Sequence, residues 1–246
     1  MSRWRASFIH LMLSFLIVGS VAAYVIYFWY PIALLPMAKA DQLLAMVGGI
    51  DLIVGPLLTL IVYKHGKKTL KMDLTVIALI QAAFLSMGLY TLFESRPVYL
   101  VSSGKMFNLV FASEITPENL AKANAKYQQF GFAHPKLVGA IMPKDIKEKT
   151  RIIMSALGGG GDLQHMPQHY VDYAQIAPEV LQNAWPLHNA PKLSAENAAI
   201  LQKAATKYGY QAENVRFMHL GSSRGYAVIL LDAKNAQPIG YVNLDL

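Results

Sequence analysis

Residues 43–63 read LLAMVGGIDLIVGPLLTLIVY, a run of 21 residues whose only charged side chain is Asp51. About 20 apolar residues in helical form cross a hydrocarbon layer of roughly 30 Å, so the run predicts a membrane-spanning helix. Two further runs have the same character. Phe8–Tyr30 holds 23 residues with His10 as its strongly polar member, and Leu74–Phe93 holds 20 with Gln81. Arg3 and Arg5 precede the first run as they would a signal peptide. Its length exceeds the usual apolar region of such a peptide, however, and the small pair Ala22-Ala23 falls in mid-run. Tyr24, Tyr27, Phe28, Trp29 and Tyr30 then follow as an interfacial belt, so an uncleaved helix is expected.

Of the 246 residues, 54% are hydrophobic and 15% charged, against about 25% charged in an ordinary globular chain. That balance excludes a disordered chain and a nucleic-acid-binding module. The absence of cysteine excludes disulfides, thiolate nucleophiles and Cys-ligated metals. Residues 1–97 carry eight Lys/Arg and four Asp/Glu, and residues 98–246 carry fourteen and eleven. The first excess sits where it orients spans. Arg3 and Arg5 lie before the first run, and Lys64, Lys67, Lys68 and Lys71 lie between the second and third, whereas Pro31–Gln42 offers Lys39 against Asp41. Basic loops stay in the cytoplasm. The N-terminus is therefore expected inside, and everything after Phe93 outside.

From Val98 the pattern becomes mixed. Val98–Ser102 and Met106–Ile115 read as strands bent at Ser103-Gly104. Thr116 caps a helix with Pro117 at its first position and Leu120, Ala123, Tyr127 and Phe130 on one face. Lys136–Met142 reads as a strand and Pro143–Leu157 as a helix stopped by Gly158–Gly161. A loop rich in Gln, His and Pro runs to about Pro191, and a helix runs from Ser194 to Gly209. Val215–Leu220, Tyr226–Leu231 and Ile239–Leu244 read as strands, the last two forming a hairpin about Asp232–Pro238. The expected architecture is three transmembrane helices in residues 1–97 followed by a periplasmic α+β domain in residues 98–246.

Signals of catalysis are poor. His165 and His169 have the spacing of a helical metal pair, but Pro167 interrupts the helix and no acidic third ligand is adjacent. The glycines at 158–161 lack the Lys-Ser/Thr that follows a phosphate-cradling loop. No catalytic residue, metal or cofactor is expected. The polar residues within the runs say more. A carboxylate near mid-bilayer costs roughly 2.5–3.5 kcal/mol, so Asp51 must face protein or water. Gly48, Asp51 and Gly55 share one helix face on which another helix could approach closely. Gly49 stands beside them, and Pro56 deprives the Leu52 carbonyl of its helical donor. Gln81 is placed to satisfy that region, and the one nearby fixed cation, Arg96, stands at the outer edge. Three uses of the face remain open: internal packing, docking of a foreign helix, or an ion path, for which one acid offers no relay.

The segment Gly49-Ile50-Asp51-Leu52-Ile53-Val54-Gly55-Pro56-Leu57-Leu58-Thr59-Leu60 carries a resemblance. With it go the Lys-rich turn, Asp73-Leu74, Gln81, Gly88 and Arg96-Pro97-Val98, then Ala112–Ile115, Gly160–Leu163, Met166-Pro167 and Tyr170. Together they resemble the TfpX/TfpZ family of type IV pilin accessory proteins. One departure is Met87, where the family tends to have an aromatic before the glycine. The resemblance implies a non-catalytic pilin-binding chaperone or modulator of pilus assembly in the bacterial inner membrane. It makes the pilin and the assembly machinery the expected partners beside membrane lipid, and together with the helix-face reading above it leaves Gly48, Gly49, Asp51, Gly55, Pro56, Gln81, Arg96 and Pro97 as the candidate binding residues. The rival is a subunit of a membrane transporter or signalling complex. Alkaline phosphatase fused after Leu246 is expected to be active and green fluorescent protein there dark; the opposite pair of results would invert the topology.

Overall fold

In the computed structural model, residues 1–190 and 193–244 are described. The end of the long loop near Pro191 and the last residues of the 98–246 domain fall outside them. Three long helices are apolar and long enough to cross a membrane: α1 (Arg3–Trp29), α2 (Ala40–Val62) and α3 (Leu70–Glu94). Ser2 caps α1 by accepting from the Arg5 amide at 3.3 Å. The last turn of α1 widens to π geometry, with the Tyr30 amide reaching back to the Val25 carbonyl at 2.9 Å. A second π turn occupies Ile50–Val54, just before Pro56.

Only Ser95 and Arg96 separate α3 from the first strand. The strands are β1 (Pro97–Ser102), β2 (Phe107–Phe111), β3 (Lys136–Ala140), β4 (Tyr170–Val171), β5 (Trp185–Pro186), β6 (Val215–Gly221), β7 (Tyr226–Asp232) and β8 (Pro238–Val242). They form one mixed sheet in the order β4-β3-β1-β2-β6-β7-β8, with β5 paired to β6 off that path. The pairs β1–β3 and β2–β6 are parallel and the others antiparallel. Helices α4 (Pro117–Lys122) and α5 (Ile146–Leu157) cover one face over β1, β2 and β3, and α7 (Ala195–Lys207) covers the same face over β6–β8.

The opposite face has an unexpected cover. Leu100, Phe107, Leu109, Phe111, Met218, Leu220 and Ile229 share a core with Trp29, Tyr30, Leu34, Met37 and Ala38, from the α1 end and the α1–α2 connection. Helix α6 (Ala177–Asn183) contributes Val180 to the same core. Trp29 and Tyr30, expected in an interfacial belt, are therefore core residues at 6% and 0% exposure, while Tyr27 remains 71% exposed. The division at residue 97, drawn on hydropathy, is crossed by this shared core.

Polar contacts lock the connection in place. The Tyr30 hydroxyl donates to the Leu92 carbonyl at 3.0 Å. Arg224, in the β6–β7 turn, donates from Nη1 to the carbonyls of Ala38 and Ser95, both at 3.2 Å. Its guanidinium also lies 3.7 Å from the Phe111 ring centroid. His134 bonds the Tyr27 carbonyl at 2.8 Å, and Phe132 packs against Trp29, which ties a loop from beside β3 onto the α1 end.

Several elements are shorter than the sequence implies, and others are added. The helix after Thr116 stops at Lys122 instead of running to Phe130, because the Asn124 side chain takes the Lys126 amide and starts a new turn. Strand β2 ends at Phe111, whose amide is taken by the Glu114 carboxylate. Helix α5 starts at its Asp145 cap, not at Pro143, and β8 ends at Val242, not Leu244. The stretch expected as one long loop contains β4, α6 and β5. Gly159, at φ +77°, closes α5 as the glycine run implied.

Replacing Arg224 removes two bonds from a charged donor to carbonyls, each worth about 1.5–3 kcal/mol at most. Arg224→Ala is expected to lower the thermal midpoint of the detergent-solubilised protein by at most about 6–24 °C, at roughly 2–4 °C per kcal/mol. An unchanged midpoint would show that the apolar packing of Met37 and Phe111 suffices without it.

Candidate functional site

The bundle places α2 between α1 and α3, and a polar chain crosses it. Gln81 on α3 donates from Nε2 to the Asp51 carbonyl at 3.2 Å and to Asp51 Oδ1 at 3.3 Å. With the amide so oriented, its oxygen accepts from His10 Nε2 at 2.8 Å. A neutral His10 then has Nδ1 free to accept from the Thr59 hydroxyl, 2.6 Å away. Ser7 adds a bond from its hydroxyl to the Pro56 carbonyl at 2.8 Å.

Backbone geometry explains why Gln81 is needed. In a π turn the carbonyl of residue i looks to the amide of residue i+5. For Asp51 that residue is Pro56, which has no N–H. The side-chain amide of Gln81 supplies the missing donor. An acceptor left unsatisfied here would cost about 1–3 kcal/mol, so one side chain serves both the backbone defect and the carboxylate.

The candidate residues divide into two groups. Gly48, Asp51, Gly55, Pro56 and Gln81 come together in the bundle. A Cβ at Gly55 would overlap the Gln81 side-chain amide, and one at Gly48 would stand 3.1 Å from Val18 Cγ1. Their face is thus occupied by α1 and α3 of this chain. Gly49 has nothing within 4 Å of such a Cβ. Arg96 and Pro97 lie elsewhere, about 22 Å along the chain from Gln81 at helical rise. Arg96 is 5% exposed, donates to the Phe93 carbonyl at 2.7 Å and stacks 3.7 Å from the Phe93 ring centroid. Pro97 opens β1. Gly88 packs so closely on the Val47 side chain that a Cβ there would overlap it, whereas Met87 points outward at 68% exposure. The missing aromatic therefore leaves the helix contact intact.

His10 and Thr59 complete the site, and the sequence alone does not assign them to it. The signal for them is spacing: Ser7, His10 and Ser14 share one face of α1, and Thr59 continues the Asp51–Gly55 face by one more turn. Beside the network lies a groove of about 460 Å³ between α1 and α3, floored by Asp51 and Thr59 of α2.

In the sheet domain, His165 and His169 go to different partners. Nε2 of His165 lies 3.9 Å from Glu114, and Nε2 of His169 lies 3.6 Å from Glu148. Among the described residues no three His, Cys, Asp or Glu side chains are grouped to hold a metal.

These features define a class: a three-helix apolar bundle, joined by a polar network and fused through a shared core to a mixed-sheet domain. Comparison with known proteins adds a direction. Residues 1–32 match the family described as Fimbrial assembly protein FimB. Over 245 residues the chain is 26% identical to the fimbrial assembly protein of serogroup E1 from Dichelobacter nodosus, covering 98% of this chain and 95% of the relative. The serogroup I protein of the same organism gives the same identity and coverage. A protein of serogroups C1 and C2 is 29% identical over 122 residues, 48% of this chain and 92% of that relative. No solved structure matches. The relatives carry the description of fimbrial assembly, not the finer TfpX/TfpZ name.

Because Gly55 abuts Gln81, Gly55→Leu is expected to cost about 1–3 kcal/mol through overpacking and to lower steady-state abundance several-fold. Immunoblots of membranes check this. Normal abundance would show that α3 can move aside and that the face is open to another helix.

Proposed function

We propose that this chain is a non-catalytic fimbrial assembly factor of the bacterial inner membrane, acting on the type IV pilin before or during assembly. The observation that carries the reading is similarity along nearly the whole chain to fimbrial assembly proteins, bundle and sheet domain together. In this reading α1, α2 and α3 span the bilayer with the N-terminus and the Lys64–Lys71 turn in the cytoplasm. The sheet domain stands in the periplasm. Lysine placement supports that orientation, and the sheet joins the ends of α1 and α3 remote from those lysines.

Two sites on one chain suit such a role. The bundle meets the subunit's membrane helix, the sheet domain meets its exported part, and linkage raises the effective concentration of each contact. The close mounting of the sheet on the bundle holds the two sites at a set spacing. The polar groups that cross the bundle bond to one another, which supports packing and recognition as their use.

Deleting the gene is expected to abolish surface fimbriae, seen by electron microscopy and in sheared fractions. Expression of the full chain should restore them. A deletion strain with normal fimbriae would overturn the proposal, whatever the chain's topology.

A further inference from the structure

We infer that the groove between α1 and α3 receives one apolar transmembrane helix of the fimbrial subunit, with a hydrogen-bond donor of that helix facing Asp51; this rests on the proposed assembly role. The groove runs from about Ala6 to Val18 on α1 and from Leu74 to Leu85 on α3. At 1.5 Å per residue it is about 16–18 Å long, or some three helical turns. Helices α1 and α3 each pack on α2, and the His10–Gln81 bond bridges them across the gap.

Two polar side chains that open onto the groove keep hydrogen-bonding capacity in hand. Asp51 is 4% exposed, and only its Oδ1 takes a hydrogen bond among the described residues. Ser14 is 7% exposed, and its hydroxyl has no protein partner among them. Both line the cavity. At this depth in a bilayer an occupant is either an acyl chain or a helix. An acyl chain offers nothing to Asp51 Oδ2 or to Ser14 Oγ. A helix can carry a hydroxyl, amide or cationic donor, and a polar group buried in hydrocarbon gains most from such a partner.

The walls point the same way. Ala78 and Ala82, one turn apart on α3, are exposed, and Ala6 lines the groove from α1. Small side chains let a guest backbone come close. The polar lining gathers near mid-length, where His10 and Gln81 of the walls bond to Thr59 and Asp51 of the floor with Ser14 one turn along α1, and most of the remaining wall is apolar. The occupant is therefore apolar along its length, with one polar residue. On the glycine face of α2, Gly48 and Gly55 are already filled by Val18 of α1 and Gln81 of α3 and support the floor, and Asp51 between them is the residue of that face that reaches the groove.

The test places a photoreactive benzophenone amino acid at Leu13 or Leu85 in the groove wall, or at Leu79 or Ile61, which are exposed elsewhere at 64% and 71%. Yields are normalised to chain abundance in the same membranes. Adducts with the fimbrial subunit are expected from the wall positions at roughly fivefold or more over the controls, as for a specific helix contact. Ala82→Phe, which fills the groove, should reduce co-purified subunit by a similar factor. If the unmodified chain captures the subunit but all four positions crosslink equally, the groove assignment is overturned and the assembly role stands. Adducts from the wall with a second copy of this chain, or with lipid only, overturn it likewise. If the unmodified chain captures no subunit, the groove assignment and direct action on the subunit both fall.

Discussion

Everything above the bundle depends on the short connection between α1 and α2 being part of the sheet's core. Trp29, Tyr30, Leu34 and Met37, with α6 beside them, form the layer that a two-sided sheet needs on this face. The Tyr30 hydroxyl and Arg224 then satisfy the carbonyls of Leu92, Ala38 and Ser95, which helix ends and turns leave without donors. Burial supplies the adhesion, and these bonds supply the alignment. With only two residues between α3 and β1, the sheet cannot swing on a linker.

Inside the bundle the governing feature is a defect. Pro56 removes a donor, the π turn moves the vacancy to Asp51, and Gln81 fills it. The same amide then orients His10, which orients Thr59. Polar groups in an apolar bundle gain specificity of register more than raw stability, since each must meet its own partner. Gly55 is required in this arrangement because Gln81 needs the space a side chain would take.

Elements with strong periodicity or length are legible from the chain alone. The three apolar helices, β1, β3, β6, β7 and the Ser194-capped helix lie close to their expected limits because burial and capping there are local. Elements held by distant partners are not legible. Strands β4 and β5 are two residues each, and α6 buries only Val180, so none has a period to read. For the site, Asp51 and Gln81 stand out as isolated polar residues, and their pairing follows from that isolation. His10 is visible as a residue but not as a partner, because helix–helix rotation sets which faces meet. The burial of Trp29 and Tyr30 is hidden for a related reason: an aromatic cluster at a helix end looks the same whether lipid headgroups or a sheet receives it.

The shared core also orders the birth of the molecule. Trp29 through Ala38 are made early, yet their partners Met218, Leu220, Ala227 and Ile229 arrive some 190 residues later. Contacts this distant in sequence close slowly, so until β6 and β7 emerge the connection can meet only the part of its core that β1 and β2 supply through Leu100, Phe107, Leu109 and Phe111. A lipid interface is a better waiting place for Trp and Tyr than open water. Truncation before residue 226 would leave the connection without Ala227, Ile229 and Leu231 of β7, among the last of its partners to be made.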